Sequence, residues 1–269
     1  MTEKRIFDTT EYAMELFNDE MGTSFSMDSV IVRCFTPKTG LSIYKALCSE
    51  FFPLWEDRAV EDHGYFESFL GYAFYSDEHD GIMLRSDVEM PEEYLIAVIL
   101  HELAHIFCSH NEIPGGLFYS RYCDVETENK IENGTMCAGY AIWREFIADM
   151  VMTTVNPFYQ GHHLRESKPE IKKILKELFP TDPNAKLCLS VLLTHVMSSI
   201  EIISAESWEA AEQILRKSQL FPKEQFYAIF HLVWGNLRRG DFWTITPDFI
   251  MDLGSQYLLL MTGMMMASI

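Results

Sequence analysis

The chain has 269 residues, 48% of them hydrophobic, and a formal net charge of −19 at pH 7. This length and apolar content allow a substantial core, in one domain or in two closely packed lobes. The strong negative charge argues against nucleic acid or an anionic membrane as a partner, because both bind through basic faces. We therefore expect neither nucleic-acid nor membrane binding.

The first part of the chain predicts a mixture of helices and strands. Residues 9–21 are amphipathic and predict a helix, whereas residues 28–35 are β-branched and apolar enough for a strand. Pro37 and Gly40 predict a turn. Residues 41–51 predict a second helix, which ends before a proline.

The next segment leads into a helix with a clear start signal. Residues 66–75 are rich in aromatic side chains, and their pattern fits either a helix or a strand. Residues 81–85 predict a short strand. Pro91 then precedes Glu92 and Glu93, and proline with acidic residues in a first turn favours the start of a helix.

The sequence HELAH lies within this predicted helix and is the most informative motif of the chain. Its two histidines, His101 and His105, are four residues apart, so both imidazoles lie on one helical face and can bind one metal ion. Glu102 follows the first histidine and can act as general base on a water held by the metal. The motif H-E-x-x-H is typical of zinc proteases.

A second predicted helix, over residues 140–149, carries two acidic side chains in an apolar setting. A catalytic zinc ion needs three protein ligands and one open position, and two His with one Glu form a recurring set. We predict Glu145 as the third ligand. Asp149 lies four residues later on the same face and is predicted to accept the free ring N–H of a zinc-bound histidine.

Other ligands are possible from the residues alone. His110 follows His105 by five positions, and we interpret it as a residue at the helix end that complements the dipole. Four acidic residues between the two helices are interpreted as a solvated acidic loop, which is the usual state of a charge run: Asp124, Glu126, Glu128 and Glu132.

After residue 155 the pattern becomes helical. Helices are predicted over residues 166–178, 183–203, 207–218, 222–239 and 246–261. We therefore predict an α+β, mostly helical fold, in which a small N-terminal sheet packs on the HELAH helix and a helical C-terminal half follows. The predicted domains are residues 1–160, catalytic with a mixed α/β N-terminal part, and residues 161–269, a helical subdomain.

Location is predicted from the N-terminal segment and the cysteines. Residues 1–8 lack the apolar core of a signal peptide, and no apolar run approaches the ~18 residues that span a bilayer. Six cysteines are scattered without a C-x-x-C pair, as is typical of reduced cytosolic thiols. We expect a soluble protein of the cytoplasm.

HELAH followed by E-x-x-A-D, within residues 81–155, resembles the gluzincin class of zinc metallopeptidases. The pattern is closest to the ImmA/IrrE-type intracellular metallopeptidases; membrane heat-shock and CAAX proteases share it but have transmembrane helices. The resemblance implies a zincin-like catalytic domain. For residues 81–85 two interpretations stay open: the sheet edge that pairs with an extended peptide in this class, and an ordinary structural strand. The interval between His105 and Glu145 is longer than this type usually has and predicts an insertion over residues 111–132.

The leading functional prediction is a zinc-dependent peptidase with Zn²⁺ as its cofactor and a peptide or protein as its substrate. Zinc lowers the pKa of its bound water, and Glu102 takes the proton as this water attacks the scissile carbonyl. Two alternatives stay open: a zinc-containing regulatory or binding protein without turnover, and a helical interaction protein in which HELAH is coincidental. Five residues are candidates for a donor to the oxyanion: Tyr119, Tyr122, Tyr140, His162 and His163.

Overall fold

The fold is that of a mostly helical protein, 70% helix and 9% strand, with a small mixed sheet near the N-terminus and a helical C-terminal half. This confirms the predicted fold class. In the described part of the chain, no helix combines the length and the apolar character needed to cross a membrane. The structure is a computed structural model that describes residues 1–58, 66–67, 69–111, 118–123, 125, 128–156, 164, 196–197, 199–221, 224–237 and 245–266.

The first helix, α1, spans Glu3–Met21 and therefore begins earlier than predicted. The side chain of Thr2 accepts a hydrogen bond from the backbone N–H of Arg5 and caps the helix. Gly22 ends it in the left-handed region, with φ at 66°, where a glycine is favoured. The buried face of α1 carries Ile6, Thr9, Thr10, Ala13, Met14 and Phe17.

Three strands form one sheet in the order β1-β3-β2. They are β1 (Val30–Phe35), β2 (Gly71–Tyr75) and β3 (Asp80–Arg85). β3 pairs in parallel with β1 on one side and antiparallel with β2 on the other. The interpretation of residues 81–85 as the sheet edge is therefore wrong: β3 is the central strand, and the edges in the described residues are β1 and β2.

The segment predicted as a turn at Pro37 and Gly40 is instead the start of helix α2, Pro37–Glu50. Thr36 and Thr39 form a capping box, and proline fits the first helical position because its missing N–H is not needed there. Gly40 is required by packing, since a Cβ at this position would lie 2.5 Å from the ring of Phe66.

An aromatic core packs on one face of this sheet and anchors the N-terminal part of the chain. Phe52 stacks on Phe74 with ring centroids 5.1 Å apart, and Trp55 donates from its indole N–H to the carbonyl of Tyr75. Burial of these large rings stabilises the three-stranded sheet, which needs a hydrophobic face packed against other elements. The buried members are Phe35, Tyr44, Leu47, Cys48, Phe52, Trp55, Phe66, Phe74 and Met83.

Two long helices carry the predicted site residues. Helix α3 spans Glu92–His110, as predicted from Pro91 and its two acidic neighbours. Helix α4 spans Lys130–Val155 and begins earlier than predicted, so that Glu132 lies in its first turn. Part of the predicted insertion lies outside the described residues, and Tyr119–Cys123 within it form a turn of π-helix.

The described C-terminal residues form four helices: α5 (Ile200–Ile203), α6 (Trp208–Ser218), α7 (Glu224–Leu237) and α8 (Pro247–Met266). The predicted helix over 207–218 is confirmed, with Ser207 as its N-cap. The predicted helix over 166–178, and most of that over 183–203, lie outside the described residues.

Helices α4 and α8 approach each other most closely at two glycines. A Cβ on Gly139 would collide with the carbonyl oxygen of Ile250, and one on Gly254 would collide with the carbonyl oxygen of Thr135. The two backbones therefore contact each other directly, which only residues without a side chain allow. This contact holds α4, the helix of Glu145, against α8.

The chain forms two compact units. One comprises Met1–Phe107 with Val151–Tyr159, and it contains the sheet, the aromatic core and most of α3. The other comprises Cys108–Met150 with Gln160–Ile269, and it contains most of α4 and helices α5 to α8. The predicted domain boundary near residue 160 stays a prediction.

Candidate metal centre

Helix α3 brings His101 and His105 together as its spacing predicts. Their Nε2 atoms lie 3.1 Å apart, and the two ring planes are inclined by 86°. The side chain of His105 is only 8% exposed. The helix around them is apolar and fully buried at Leu100, Leu103, Ala104 and Ile106. The two nitrogens thus lie close together beside a largely apolar helix, where a charge is poorly screened by water.

The distance between the two nitrogens fits a metal ion. Two nitrogen ligands about 2.0–2.1 Å from a tetrahedral zinc ion lie ~3.3 Å apart. The observed 3.1 Å between the Nε2 atoms is close to this value. The same distance also fits a hydrogen bond between the two rings, so the role of this pair as metal ligands stays a prediction.

Glu145 of α4 completes a group of three. One ligand atom from each of His101, His105 and Glu145 lies within 4.8 Å of the other two. Among the described residues, these three potential ligands lie close enough together to hold one metal ion. Two imidazole nitrogens and one carboxylate oxygen form a donor set that suits zinc and other divalent transition ions. The residues present therefore fit the predicted cofactor, and their role as ligands stays a prediction.

Glu102 lies beside the group without belonging to it. Its side chain is 8% exposed, and Gly71 of β2 packs directly against it. A buried carboxylate can act as a general base, and this role of Glu102 stays a prediction.

Comparison with protein-family models, with curated proteins and with solved structures returned no match for this chain. The resemblance to ImmA/IrrE-type metallopeptidases therefore rests on the two motifs alone and stays a prediction.

Among the described residues, the other acidic candidates do not belong to the group. Asp149 lies one turn beyond Glu145 in α4 and is 1% exposed. Its hydrogen bond to a ligand histidine stays a prediction. Glu128 and Glu132 are exposed, and His110 is the last residue of α3, as predicted. Asp124 and Glu126 lie outside the described residues.

Three of the oxyanion candidates belong to one aromatic cluster. Phe118 stacks on Tyr140 with the ring planes 5° apart, and Tyr119 lies 5.5 Å from the same ring. Tyr122 packs on Phe118. These contacts give the tyrosines a packing role, and a role at the oxyanion stays a prediction. His162 and His163 lie outside the described residues.

Two residues at the site were not identified from the sequence. Gly71 contacts Glu102, and Arg144 donates from its Nη2 atom to Oε1 of Glu145 at 3.0 Å. A glycine within an aromatic strand pattern indicates a close backbone approach, so the contact at Gly71 could have been predicted from the sequence. The pairing of Arg144 with Glu145 could not, because adjacent helical residues do not normally face each other.

Proposed function

We propose that this chain is a zinc-dependent metallopeptidase. The observation that carries the proposal is the convergence of three ligand atoms, from His101, His105 and Glu145, within 4.8 Å of one another. The 3.1 Å between the two Nε2 atoms and the buried Glu102 beside them support it. A third protein ligand distinguishes this arrangement from two histidines that merely share a helical face.

The proposed chemistry divides between the metal and Glu102. A zinc ion held by the three ligands would supply an acidified water and a Lewis acid for the scissile carbonyl. Glu102 accepts the proton of the attacking water on its carboxylate and returns it to the leaving amine. Its burial keeps bulk water from competing for that proton.

We propose β2 rather than β3 as the strand along which the peptide substrate lies. β3 is paired on both sides, whereas β2 is at a sheet edge within the described residues. Gly71, the first residue of β2, lies against Glu102. An extended peptide that pairs with β2 would therefore run directly beside the general base.

We place this activity in the cytoplasm on the basis of the cysteines. Five cysteines of the described residues are free thiols, as is usual in a reducing compartment. The formal charge of −19 favours neutral or basic peptides as substrates over acidic ones.

The proposal is tested by hydrolysis of a fluorescence-quenched peptide library with wild type and Glu102→Gln. Glu102→Gln removes the base but keeps the size of the side chain, so cleavage should fall by about 10²–10⁴-fold with unchanged zinc content. Glu93→Gln is the matched control, since Glu93 is exposed in the first turn of the same helix and should not affect cleavage.

The other outcomes separate the alternatives. Equal cleavage by wild type and Glu102→Gln would contradict the mechanism. Zinc binding by a wild type that cleaves no peptide would favour a regulatory or binding protein. Wild type that takes up no zinc would favour a helical interaction protein.

A further inference from the structure

The ion pair between Arg144 and Glu145 is unusual for two consecutive helical residues. Their side chains leave the helix about 100° apart and do not normally face each other. The Arg144 guanidinium nevertheless reaches back, and its Nη2 atom lies 3.0 Å from Oε1 of Glu145. Helix geometry alone does not produce this contact.

The carboxylate is largely withdrawn from solvent, whereas the guanidinium is partly exposed. The side chain of Glu145 is 16% exposed and that of Arg144 is 35% exposed. A carboxylate this far buried needs a partner for its charge. A hydrogen bond between a guanidinium and a carboxylate is charge-assisted, and the guanidinium keeps its charge at every accessible pH.

This contact engages one of the two carboxylate oxygens. Glu145 also belongs to the group whose ligand atoms lie within 4.8 Å of one another. A four-coordinate catalytic zinc with three protein ligands and an open position needs one oxygen from its glutamate, because a second oxygen would occupy the position of the water.

We propose that Arg144 is a positioning residue that holds Oε1 of Glu145, so that this carboxylate offers the metal a single oxygen. The inference rests on the proposed metal site and deepens it. Arg144 thereby keeps the fourth coordination position for water and substrate. Metal affinity is a poor test, because loss of the hydrogen bond weakens binding whereas loss of the positive charge strengthens it. The coordination number is the direct readout.

The experiment uses the full chain loaded with Co²⁺, whose visible absorption bands are strong in four-coordinate sites and weak in five-coordinate ones. Wild type should give the strong bands. Arg144→Met removes this donor from Oε1 of Glu145 and should give the weak bands. Arg144→Lys keeps a charged donor and should restore the strong bands.

A matched control removes a similar ion pair elsewhere. Arg216 of α6 is paired with Glu212 and Glu224, and α6 contributes nothing to the ligand group. Arg216→Met should therefore give the wild-type spectrum. Far-UV circular dichroism of each variant reports whether its fold is intact.

The outcomes distinguish failure of the inference from failure of the proposed function. An Arg144→Met spectrum identical to wild type overturns the inference and leaves the metal site standing. A wild type that binds no Co²⁺ overturns both. A wild type that binds Co²⁺ with the expected spectra, and cleaves no peptide, overturns the proposed peptidase activity and supports the role of Arg144.

Discussion

Gly71 of β2 lies directly against Glu102 of α3. A Cβ atom at position 71 would lie 2.6 Å from Oε1 and 2.7 Å from Cγ of the Glu102 side chain. Real Cβ atoms do not approach other atoms this closely, so any other residue at position 71 forces the carboxylate or the strand to move. Gly71 therefore determines how near the sheet edge comes to the proposed general base.

Gly71→Ala should impair hydrolysis and leave the metal site intact. The added methyl group displaces the Glu102 carboxylate, and a misplacement of about 1 Å at a reacting group costs about 10²-fold in rate. We expect a loss of this order in kcat/KM, with zinc content as in wild type, measured on a peptide that wild type cleaves.

Gly81→Ala is the control for this prediction. It places the same methyl group on the neighbouring strand β3, where the nearest atoms belong to Phe52 rather than to Glu102. Its kcat/KM should stay close to wild type when both proteins are folded. Equal activity of Gly71→Ala and wild type would show that Glu102 does not depend on this contact.

Substitution of either glycine at the crossing of α4 and α8 should destabilise the protein. An alanine at Gly139 or Gly254 would collide with backbone carbonyl oxygens, which cannot rotate away as a side chain does. We expect each variant to lower the free energy of unfolding by about 1–3 kcal/mol, as overpacking usually does. Urea denaturation measures it through the midpoint.

The opposite result is expected at a glycine with space around it. A Cβ on Gly134, also in α4, meets no atom within 4 Å. Gly134→Ala should therefore raise the free energy of unfolding by roughly 1 kcal/mol through helix propensity alone. If the Gly139 and Gly254 variants matched Gly134→Ala, the close helix crossing would be wrong.

Cys108, three residues after His105, should not react with thiol reagents in the folded protein. Burial raises the pKa of the Cys108 thiol from 9.0 to about 12. At pH 8 its thiolate fraction is then on the order of 10⁻⁴, and only the thiolate is nucleophilic. Peptide mapping after iodoacetamide treatment should find it unmodified, and modified once urea unfolds the chain. Rapid modification of the folded protein would contradict the burial of this helix face.

Local signals were sufficient for several elements. Pro91 with its acidic neighbours predicts the start of α3, and Ser207 predicts that of α6, because each carries a start signal within one turn. At Pro37 the same kind of signal is present, and the turn predicted there is wrong. Proline at a first helical position and proline in a turn share their backbone angle, so only the capping box with Thr36 separates them.

The order of the sheet could not be predicted in this way. β3 lies between β1 and β2, and its parallel pairing with β1 joins residues far apart in the sequence. Strand order depends on such distant pairing, which no local pattern records. The role of β2 as an edge strand beside Glu102 followed only from the structure.

The same distinction between local and distant information applies to the candidate site. The three ligand candidates could be predicted because spacing on a helix and the zinc donor set are local rules, and the structure brings their atoms within 4.8 Å of one another. The contact of Arg144 with Glu145 could not be predicted, because it depends on one side-chain conformation.

The central claim is a metal site of His101, His105 and Glu145, and its most direct test is zinc per chain in wild type beside Glu145→Ala. Glu128→Ala is the matched control, because Glu128 is exposed and lies outside the ligand group. We predict one zinc per chain in wild type and in Glu128→Ala, and clear loss of zinc in Glu145→Ala. Full zinc retention in Glu145→Ala, or none in wild type after remetallation, would contradict the claim.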